Sequence, residues 1–159
     1  VKGNHELLNL SRPDLVEAAH REYLAAGADI VETNTFNANA FSQADYGTEA
    51  LVYDINLAAA RVARAAADGV MAAEPGRTRW VAGALGPTNK RASLWRYVVD
   101  PGARGVTFAD LEAAYHEQAL GLLDGGATMR IVEPGAAPEP LPLVLPPAEI
   151  GGDVGHLSL

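Results

Sequence analysis

The sequence contains no cysteine. This absence excludes disulfide bonds, thiolate nucleophiles and every zinc site built on cysteine for this chain. Histidine is scarce too, with four residues that show no i,i+4 pair or other spacing typical of metal ligands: His5, His20, His116 and His156. The sequence therefore predicts neither a metal site nor a nucleophilic catalytic residue.

Long apolar runs and basic charge are also lacking. No run of about 18 apolar residues and no signal peptide is present, so we expect a soluble, cytoplasmic protein with no membrane partner. Lysine and arginine total 12 against 20 acidic residues, a formal net charge of −8. Because an acidic surface repels phosphates, we expect no nucleic-acid partner. Gly83 and Gly86 form no G-x-G-x-x-G or G-K-[ST] motif, so nothing indicates a nucleotide site.

What the sequence does have is 159 residues, 48% of them hydrophobic, in alternating helical and strand patterns. Strands centred on Ile30, Val81 and Ile131 lie about fifty residues apart, a spacing suited to βα units with long loops. Such alternation predicts a parallel sheet with right-handed crossovers. Three strands in tandem, each with a polar exit, favour part of a (βα)₈ barrel over a doubly wound sheet.

The helix boundaries follow from capping residues and glycines. The first helix is predicted to be capped by Ser11, with Pro13 and Asp14 in its first turn, and to end at Gly27. The later signals are a helix start at Thr48 and Glu49, a loop from Asp68-Gly69 to Arg79, a capping box over Thr107 and Asp110, and a helix end at Gly125-Gly126. The second helix is predicted to bury a narrow stripe: Leu51, Ile55, Ala58, Val62 and Ala66.

The polar residues that follow the first strand are the strongest functional signal. Glu32, Thr33, Asn34 and Thr35 come directly after Ile30 and Val31. Ligands of α/β proteins bind at the carboxyl ends of parallel strands, so a carboxylate, two hydroxyls and an amide there form a binding-site hypothesis. The alternative is an ordinary strand exit built from turn-favouring residues.

The other two strands end in the same manner. Residues 80–85 run into Gly86-Pro87-Thr88-Asn89, and residues 129–132 deliver Glu133. Beyond Glu133 the composition changes, because six of the ten prolines lie within residues 134–147. We therefore divide the chain into a partial barrel domain at 1–133 and a disordered or extended Pro/Gly-rich tail at 134–159, with polyproline docking as a weaker alternative.

The residues resemble the homocysteine-binding domain of cobalamin-dependent methionine synthase. The most specific runs are E-T-N-T-F at 32–36 and L-G-P-T-N at 85–89. The matching stretches, in order, are 2–4, 7–8, 26–37, 44–46, 55–60, 81–83, 85–89, 100–101, 106–108 and 125–127. The resemblance implies a (βα)₈ barrel that binds homocysteine at its strand ends. It also implies methyl transfer from methylcobalamin to a zinc-bound thiolate, with methyltetrahydrofolate recharging the cobalamin.

The resemblance implies roles for a few residues of this sequence. Glu133 matches the family glutamate that contacts the substrate's amino group, and Asn34 and Asn89 match polar strand-end positions on the same face. Glu32 is a further substrate-binding candidate, with a structural carboxylate bonded to loop amides as the alternative. The family's zinc cysteines have no counterpart here.

The sequence resembles strands two through four of eight, so we expect a truncated domain that needs no cofactor of its own and is inactive alone. A shifted reading frame or a divergent tail would each explain the departures at 93–101 and after Glu133. The alternatives are a non-catalytic interaction module with a Pro-rich docking tail, or a fragment that assembles in trans with the remaining barrel or cobalamin domain.

Overall fold

A computed structural model describes residues 2–89 and 106–132. The helices are Leu8–Ser11 (α1), Pro13–Ala25 (α2), Ala40–Ala44 (α3), Val52–Ala73 (α4) and Phe108–Asp124 (α5), with a 3₁₀ turn at Glu49–Leu51 before α4. The strands are Ile30–Glu32 (β1), Trp80–Leu85 (β2) and Met129–Val132 (β3). Glu133, the tail at 134–159 and the departure at 93–101 lie outside the described residues.

The three strands form one parallel sheet in the order β1-β2-β3, which confirms the predicted topology. Val31 lies opposite Val81 in the register, and both are buried against the helices. Ile30 lies opposite Trp80, and both are partly exposed on the other face. Within the described residues helices therefore cover the face that carries Val31 and Val81, while on the other face Ile30 and Trp80 are exposed and Ala82 and Ala84 are buried. Closure into a barrel remains a prediction.

Two helices end by the same device. Gly27 follows α2 with φ 105°, and Gly126 follows α5 with φ 95°, backbone conformations that favour glycine. The next amide in each case bonds back to the helix, Ala28 N to Tyr23 O at 3.1 Å and Ala127 N to Leu122 O at 3.0 Å. Each glycine therefore reverses the chain into the following strand, in agreement with the helix ends predicted at Gly27 and at Gly125-Gly126.

The predicted cap at Ser11 is wrong. Residues 8–11 form a short helix of their own, so the Ser11 hydroxyl lies inside it and donates to Leu7 O at 3.0 Å. Arg12 occupies the position before α2 and pairs with Asp14 at 2.7 Å. Pro13 does begin α2, as predicted, because its missing N–H costs nothing in a first turn. The capping box of Thr107 and Asp110 is confirmed.

Helix α4 is longer than predicted, because it continues through Gly69 to Ala73. A glycine in a helix costs only about 1 kcal/mol relative to alanine, and the good helix formers that follow offset it. The Arg21 guanidinium lies over this position, where a Cβ would come within 3.0 Å of it. The buried face of α4 also differs from the predicted stripe, with Ala58 and Val62 only half-buried. Its buried residues are Val52, Ile55, Asn56, Ala59, Ala60, Ala63, Ala66 and Ala67.

Helices α4 and α5 pack at very short range. A Cβ on Gly121 would lie 2.7 Å from Tyr53 O, and one on Gly125 would lie 2.6 Å from Leu57 O. Larger side chains at these positions would separate the helices. The close contact fixes α5 against the sheet, where Leu122 packs over Gly83 of β2. This packing positions the ends of β1 and β2.

Candidate functional site

The hydroxyls after β1 are structural. Thr33 and Thr35 are buried, and their hydroxyl oxygens lie 2.6 Å apart. Thr35 Oγ1 donates to Ala84 O at 2.8 Å, and Ala84 N donates to Thr33 Oγ1 at 3.0 Å. These bonds continue the pairing of β1 with β2 beyond the end of the strand. The two threonines are therefore used inside the fold, which corrects the expectation that their hydroxyls face a ligand.

Asn34 is held from the N-terminal segment of the chain. Its backbone oxygen accepts from Asn9 Nδ2 at 2.7 Å, and its own Nδ2 donates to His5 O at 2.9 Å. Asn9 is only 1% exposed and lies on α1. With its amide nitrogen fixed to a carbonyl, Asn34 has its Oδ1 as the remaining hydrogen-bonding atom. Asn34 is therefore an oriented acceptor at the end of β1.

A second set of bonds fixes the rest of this loop. Asn37 N donates to Glu6 Oε1 at 3.1 Å, and Gln43 Nε2 donates to Asn37 O at 3.0 Å. Asn4 Nδ2 donates to Gln43 Oε1 at 2.8 Å. Asn4, Glu6 and Gln43 are all buried. The loop after β1 is thus supported by buried polar side chains.

The loop after β2 is supported by α5. Tyr115 lies under it, donating its hydroxyl to Gly86 O at 3.1 Å and accepting from Thr88 N at 3.2 Å. Burial raises the pKa of Tyr115 above its ordinary value, so the phenol stays protonated at neutral pH. Asn89 is exposed and donates to Asp45 Oδ2 at 2.8 Å. Its amide nitrogen therefore joins the β2 loop to the segment after α3.

The structure brings two of the predicted site residues together. Glu32 and Asn34 line one groove of about 530 Å³ that runs beside β1 and α2. Glu32 is exposed and Asn34 is half-buried. Asn89 does not line this groove, and Glu133 lies outside the described residues. Apolar side chains form most of the remaining wall, namely Leu8, Leu15, Val16, Ala19, Tyr23, Ile30 and Val31.

His20 also lines the groove and was not predicted as a site residue. It is buried, and its Nε2 has no hydrogen-bond partner within the described residues. Burial lowers the pKa of His20 from its ordinary value of 6.5, while the negative charge of Glu17 opposes that shift. The neutral imidazole is therefore favoured near pH 7.

The groove has the chemistry of a site for an ammonium group on an apolar body. Glu32 offers a carboxylate and Asn34 an amide oxygen, both acceptors for a charged N–H donor. The donor set does not fit the zinc site implied by the resemblance. The sequence lacks cysteine, and in the parts of the chain that the structure describes no three His, Asp or Glu side chains cluster as metal ligands.

Sequence reasoning missed the N-terminal support of the site. Residues 1–10 carry no hydrophobic period, so nothing in the pattern marks Asn4, Glu6 or Asn9 as buried. Their burial depends on hydrogen bonds to residues about 25 to 40 positions away.

Comparison with known proteins places these features in a family. The family model described as homocysteine S-methyltransferase matches residues 2–135. Among solved structures, the chain is similar to the homocysteine methyltransferase MmuM from Escherichia coli in its metallated form, at 22% identity and a TM-score of 0.65. That match covers 84% of this chain and 48% of MmuM. The oxidised form of MmuM matches at 22% identity and a TM-score of 0.63, covering 82% and 46%.

These matches differ in what they establish. At 22% identity the structural likeness shows a shared fold, and the described elements correspond to part of that fold. The chain spans about half the length of the solved structures it matches. No helix in the two described ranges has both the length and the apolar character needed to cross a bilayer.

Proposed function

This chain belongs to the homocysteine S-methyltransferase family, and we propose that its part in the reaction is to bind homocysteine at the ends of β1 and β2. Glu32 accepts the substrate's ammonium group and Asn34 Oδ1 provides a second acceptor. Glu133 and Asn89 are further candidates for contacts to the polar end of the amino acid, and for both of them the support is the resemblance to the family. The apolar wall of the groove accommodates the methylene groups that carry the sulfur.

The observation that carries this proposal is the pairing of Glu32 and Asn34 in one groove within a chain of this family. A charge-assisted bond from an ammonium to a carboxylate is among the stronger polar contacts. The hydrogen bonds from Asn9 and to His5 O orient Asn34 before any ligand arrives, which lowers the entropy lost on binding.

We further propose that this chain binds the substrate without activating it. A free thiol is mostly protonated near pH 7 and is then a poor nucleophile. The described residues offer no cysteine or metal cluster that would deprotonate it. The methyl donor, methylcobalamin by resemblance, and the group that activates the thiol are therefore supplied from outside these 159 residues.

Binding is tested by titrating reduced L-homocysteine into the ¹⁵N-labelled chain. The backbone amides of Glu32 and Asn34 are expected to shift, and Glu32→Gln is expected to weaken binding roughly tenfold because it removes the charge but not the shape. The matched control is Glu49→Gln, an exposed carboxylate outside the groove. 4-Mercaptobutanoate, which lacks the amino group, should bind weakly to both the parent chain and Glu32→Gln.

Two results would contradict the proposal. The first is an unchanged spectrum at millimolar homocysteine, which would remove the binding role. The second is formation of methionine by the purified chain with methylcobalamin, or stoichiometric zinc in it, which would remove the statement that the chain does not activate its substrate.

A further inference from the structure

Three buried side-chain amides lie around the segment that follows Asn34. Asn39 precedes α3, Asn56 lies on α4 and Gln118 lies on α5, and all three residues are 0% exposed. Each amide has one atom without a hydrogen-bond partner within residues 2–89 and 106–132, namely Asn39 Nδ2, Asn56 Oδ1 and Gln118 Oε1. A buried polar atom that makes no hydrogen bond destabilises the fold, so three of them call for a partner.

The orientation of the Asn39 and Gln118 amides is fixed by their other bonds. Asn39 Oδ1 accepts from Ser42 N at 3.0 Å. Gln118 Nε2 donates to two carbonyl oxygens, Thr35 O at 2.8 Å and Ala84 O at 3.3 Å. Turning either amide over would place an amide nitrogen against an N–H donor or an amide oxygen against a carbonyl oxygen. Asn39 is therefore left with a free donor and Gln118 with a free acceptor.

The third amide is oriented in the same way. Asn56 Nδ2 donates to Ala38 O at 2.8 Å and to Val52 O at 2.7 Å, and an oxygen could make neither bond. Its free atom is therefore the acceptor Oδ1. Together the three side chains leave one N–H donor and two acceptor oxygens.

Shared hydrogen bonds bring these side chains to one short segment of chain. Thr35 O accepts from Gln118 Nε2 at 2.8 Å and also from Ala38 N at 3.0 Å. The carbonyl of Ala38 in turn accepts from Asn56 Nδ2, and Asn39 is the next residue. The three amides therefore converge on the turn between β1 and α3.

The cluster is enclosed by α4 and α5. A Cβ on Gly121, one turn beyond Gln118 on α5, would lie 2.9 Å from Asn56 Cβ on α4. The amides therefore lie between these helices and the loop after β1, and their burial does not involve the outer strand edges of the sheet.

We propose that this cluster binds one buried water molecule. The water accepts a hydrogen bond from Asn39 Nδ2 and donates its two protons to Asn56 Oδ1 and Gln118 Oε1. Globular proteins bury about one water per 27 residues, and such a water typically makes about three hydrogen bonds. A metal cation fits less well, because the Asn39 N–H group would point at it. This inference does not depend on the proposed function.

The water joins the start of α3 to α4 and α5 beneath the loop that carries Asn34. Asn39 Nδ2 could serve both oxygens directly, but in the structure it bonds to neither of them. Polar groups that face each other without a direct bond are commonly bridged by water. The bridge would give every polar atom of the three amides a partner.

The first test is a crystal structure of the chain at a resolution that defines ordered water. One water is expected within about 2.7–3.2 Å of Asn39 Nδ2, Asn56 Oδ1 and Gln118 Oε1. Direct bonds from Asn39 Nδ2 to the two oxygens, a metal ion in place of the water, or a site without ordered density would each overturn the proposal.

The second test uses a variant that removes one acceptor. Gln118→Met keeps the length of the side chain and leaves neither carbonyl without a donor. Thr35 O still accepts from Ala38 N, and Ala84 O still accepts from Thr35 Oγ1. The apolar side chain offers the water no hydrogen bond, so we expect the water to be lost.

The readout is the cross-peak between long-lived water and the Asn39 side-chain amide in water–amide ROE spectra of the ¹⁵N-labelled chain. The parent should show the peak and Gln118→Met should lose it. Glu112→Met, on an exposed residue of the same helix, is the matched control and should keep it. Circular dichroism establishes that both variants are folded. A parent without the peak, or a peak of equal intensity in Gln118→Met, would overturn the proposal.

Discussion

The two ends of the small parallel sheet are held by different chemistry. At the amino-terminal end, Arg79 is 1% exposed and bonds to Ala28 O at 2.8 Å, Asp29 Oδ1 at 2.9 Å and Glu74 Oε2 at 2.7 Å. Arg77 adds a second ion pair to Asp29 at 2.6 Å. Ion pairs between charged side chains therefore hold the amino-terminal ends of β1 and β2 together.

At the carboxyl-terminal end the supporting groups are mostly neutral. Amides and hydroxyls fix the loop after β1, with Glu6 as the charged exception, and its carboxylate accepts from a backbone N–H. Gln118 of α5 donates to Thr35 O at 2.8 Å, and Asn9 and Gln43 hold the loop from the other side.

Because of this difference the loop after β1 is held in place while Glu32 has no ion pair within residues 2–89 and 106–132. An arginine placed under the β1 loop, as Arg79 is placed at the other end, would neutralise Glu32 and compete with a cationic ligand. Neutral amides position the loop without placing a positive charge near Glu32. Charged side chains thus stabilise the amino-terminal end of the strands, and under the proposed function their scarcity at the other end leaves Glu32 available to a cationic ligand.

The largest expected effect comes from removing the buried guanidinium. Arg79→Ala should lower the free energy of unfolding by about 3 kcal/mol, because it leaves a cavity and frees Ala28 O. Arg79→Met keeps the apolar volume and should lose about half as much. Urea denaturation of both variants measures how much of the loss in stability comes from the cavity and how much from the lost polar contacts. If Arg79→Met is as stable as the parent, packing alone stabilises the amino-terminal end of the sheet and the ion pairs contribute nothing to the free energy of unfolding.

A smaller loss of stability is expected at the carboxyl-terminal end of the sheet, where the supporting groups are mostly neutral. Asn9→Ala should cost about 2 kcal/mol, since it leaves a buried cavity and removes the bond to Asn34 O. Asn37→Ala is the matched control, because the Asn37 side chain is exposed and only its backbone holds the loop. We expect the control to change stability by less than about 0.5 kcal/mol. Equal losses in both variants would show that burial of Asn9 is not what supports the loop.

A still smaller loss of stability is expected when the support of the loop after β2 is removed. Tyr115→Phe removes the hydroxyl that bonds to Gly86 O and Thr88 N, a change expected to cost about 1 kcal/mol. Tyr23→Phe makes the same chemical change at a side chain that is 70% exposed and should be neutral. Thermal unfolding of the two variants is the measurement. A neutral Tyr115→Phe would mean that α5 holds this loop through packing of the ring.

Sequence patterns predicted the elements whose cause is local. The bounds of β2 and β3, the helix ends at Gly27 and Gly126, and the box of Thr107 with Asp110 are encoded within a few residues of each feature. The same reasoning placed a helix cap at Ser11, which is wrong because Ser11 belongs to a separate short helix, Leu8–Ser11.

The candidate site was only partly predictable. The E-T-N-T-F run contains the groove residues Glu32 and Asn34, but the sequence could not separate them from the inward threonines of the same run. That separation depends on pairing with Ala84, about fifty residues away. Asn4 and Gln43, whose side-chain amides support the loop, belong to no apolar periodic pattern. Only the tertiary structure therefore reveals their role. The roles of Glu133 and Asn89 in substrate binding remain predictions.

The smallest expected effect is on the acid stability of the charged end. The Arg77 guanidinium, followed by Arg79, holds the pKa of Asp29 below its usual 3.8. A depressed folded-state pKa contributes stability that is present above the unfolded value and is lost as pH falls through the folded value. The parent chain should therefore lose this contribution only below about pH 4, and both partners are near half exposure, which keeps it small.

Arg77→Gln is expected to raise the Asp29 pKa toward its ordinary value and to flatten that acid dependence. Carboxyl ¹³C shifts recorded through the acid range measure it. Arg12→Gln is the matched control, because Arg12 lowers the pKa of Asp14 in a similarly exposed pair away from the sheet. It should move Asp14 and leave Asp29 unchanged. An unmoved Asp29 in Arg77→Gln would assign the shift to buried Arg79, so that a single guanidinium would account for both the stability and the electrostatics of this end.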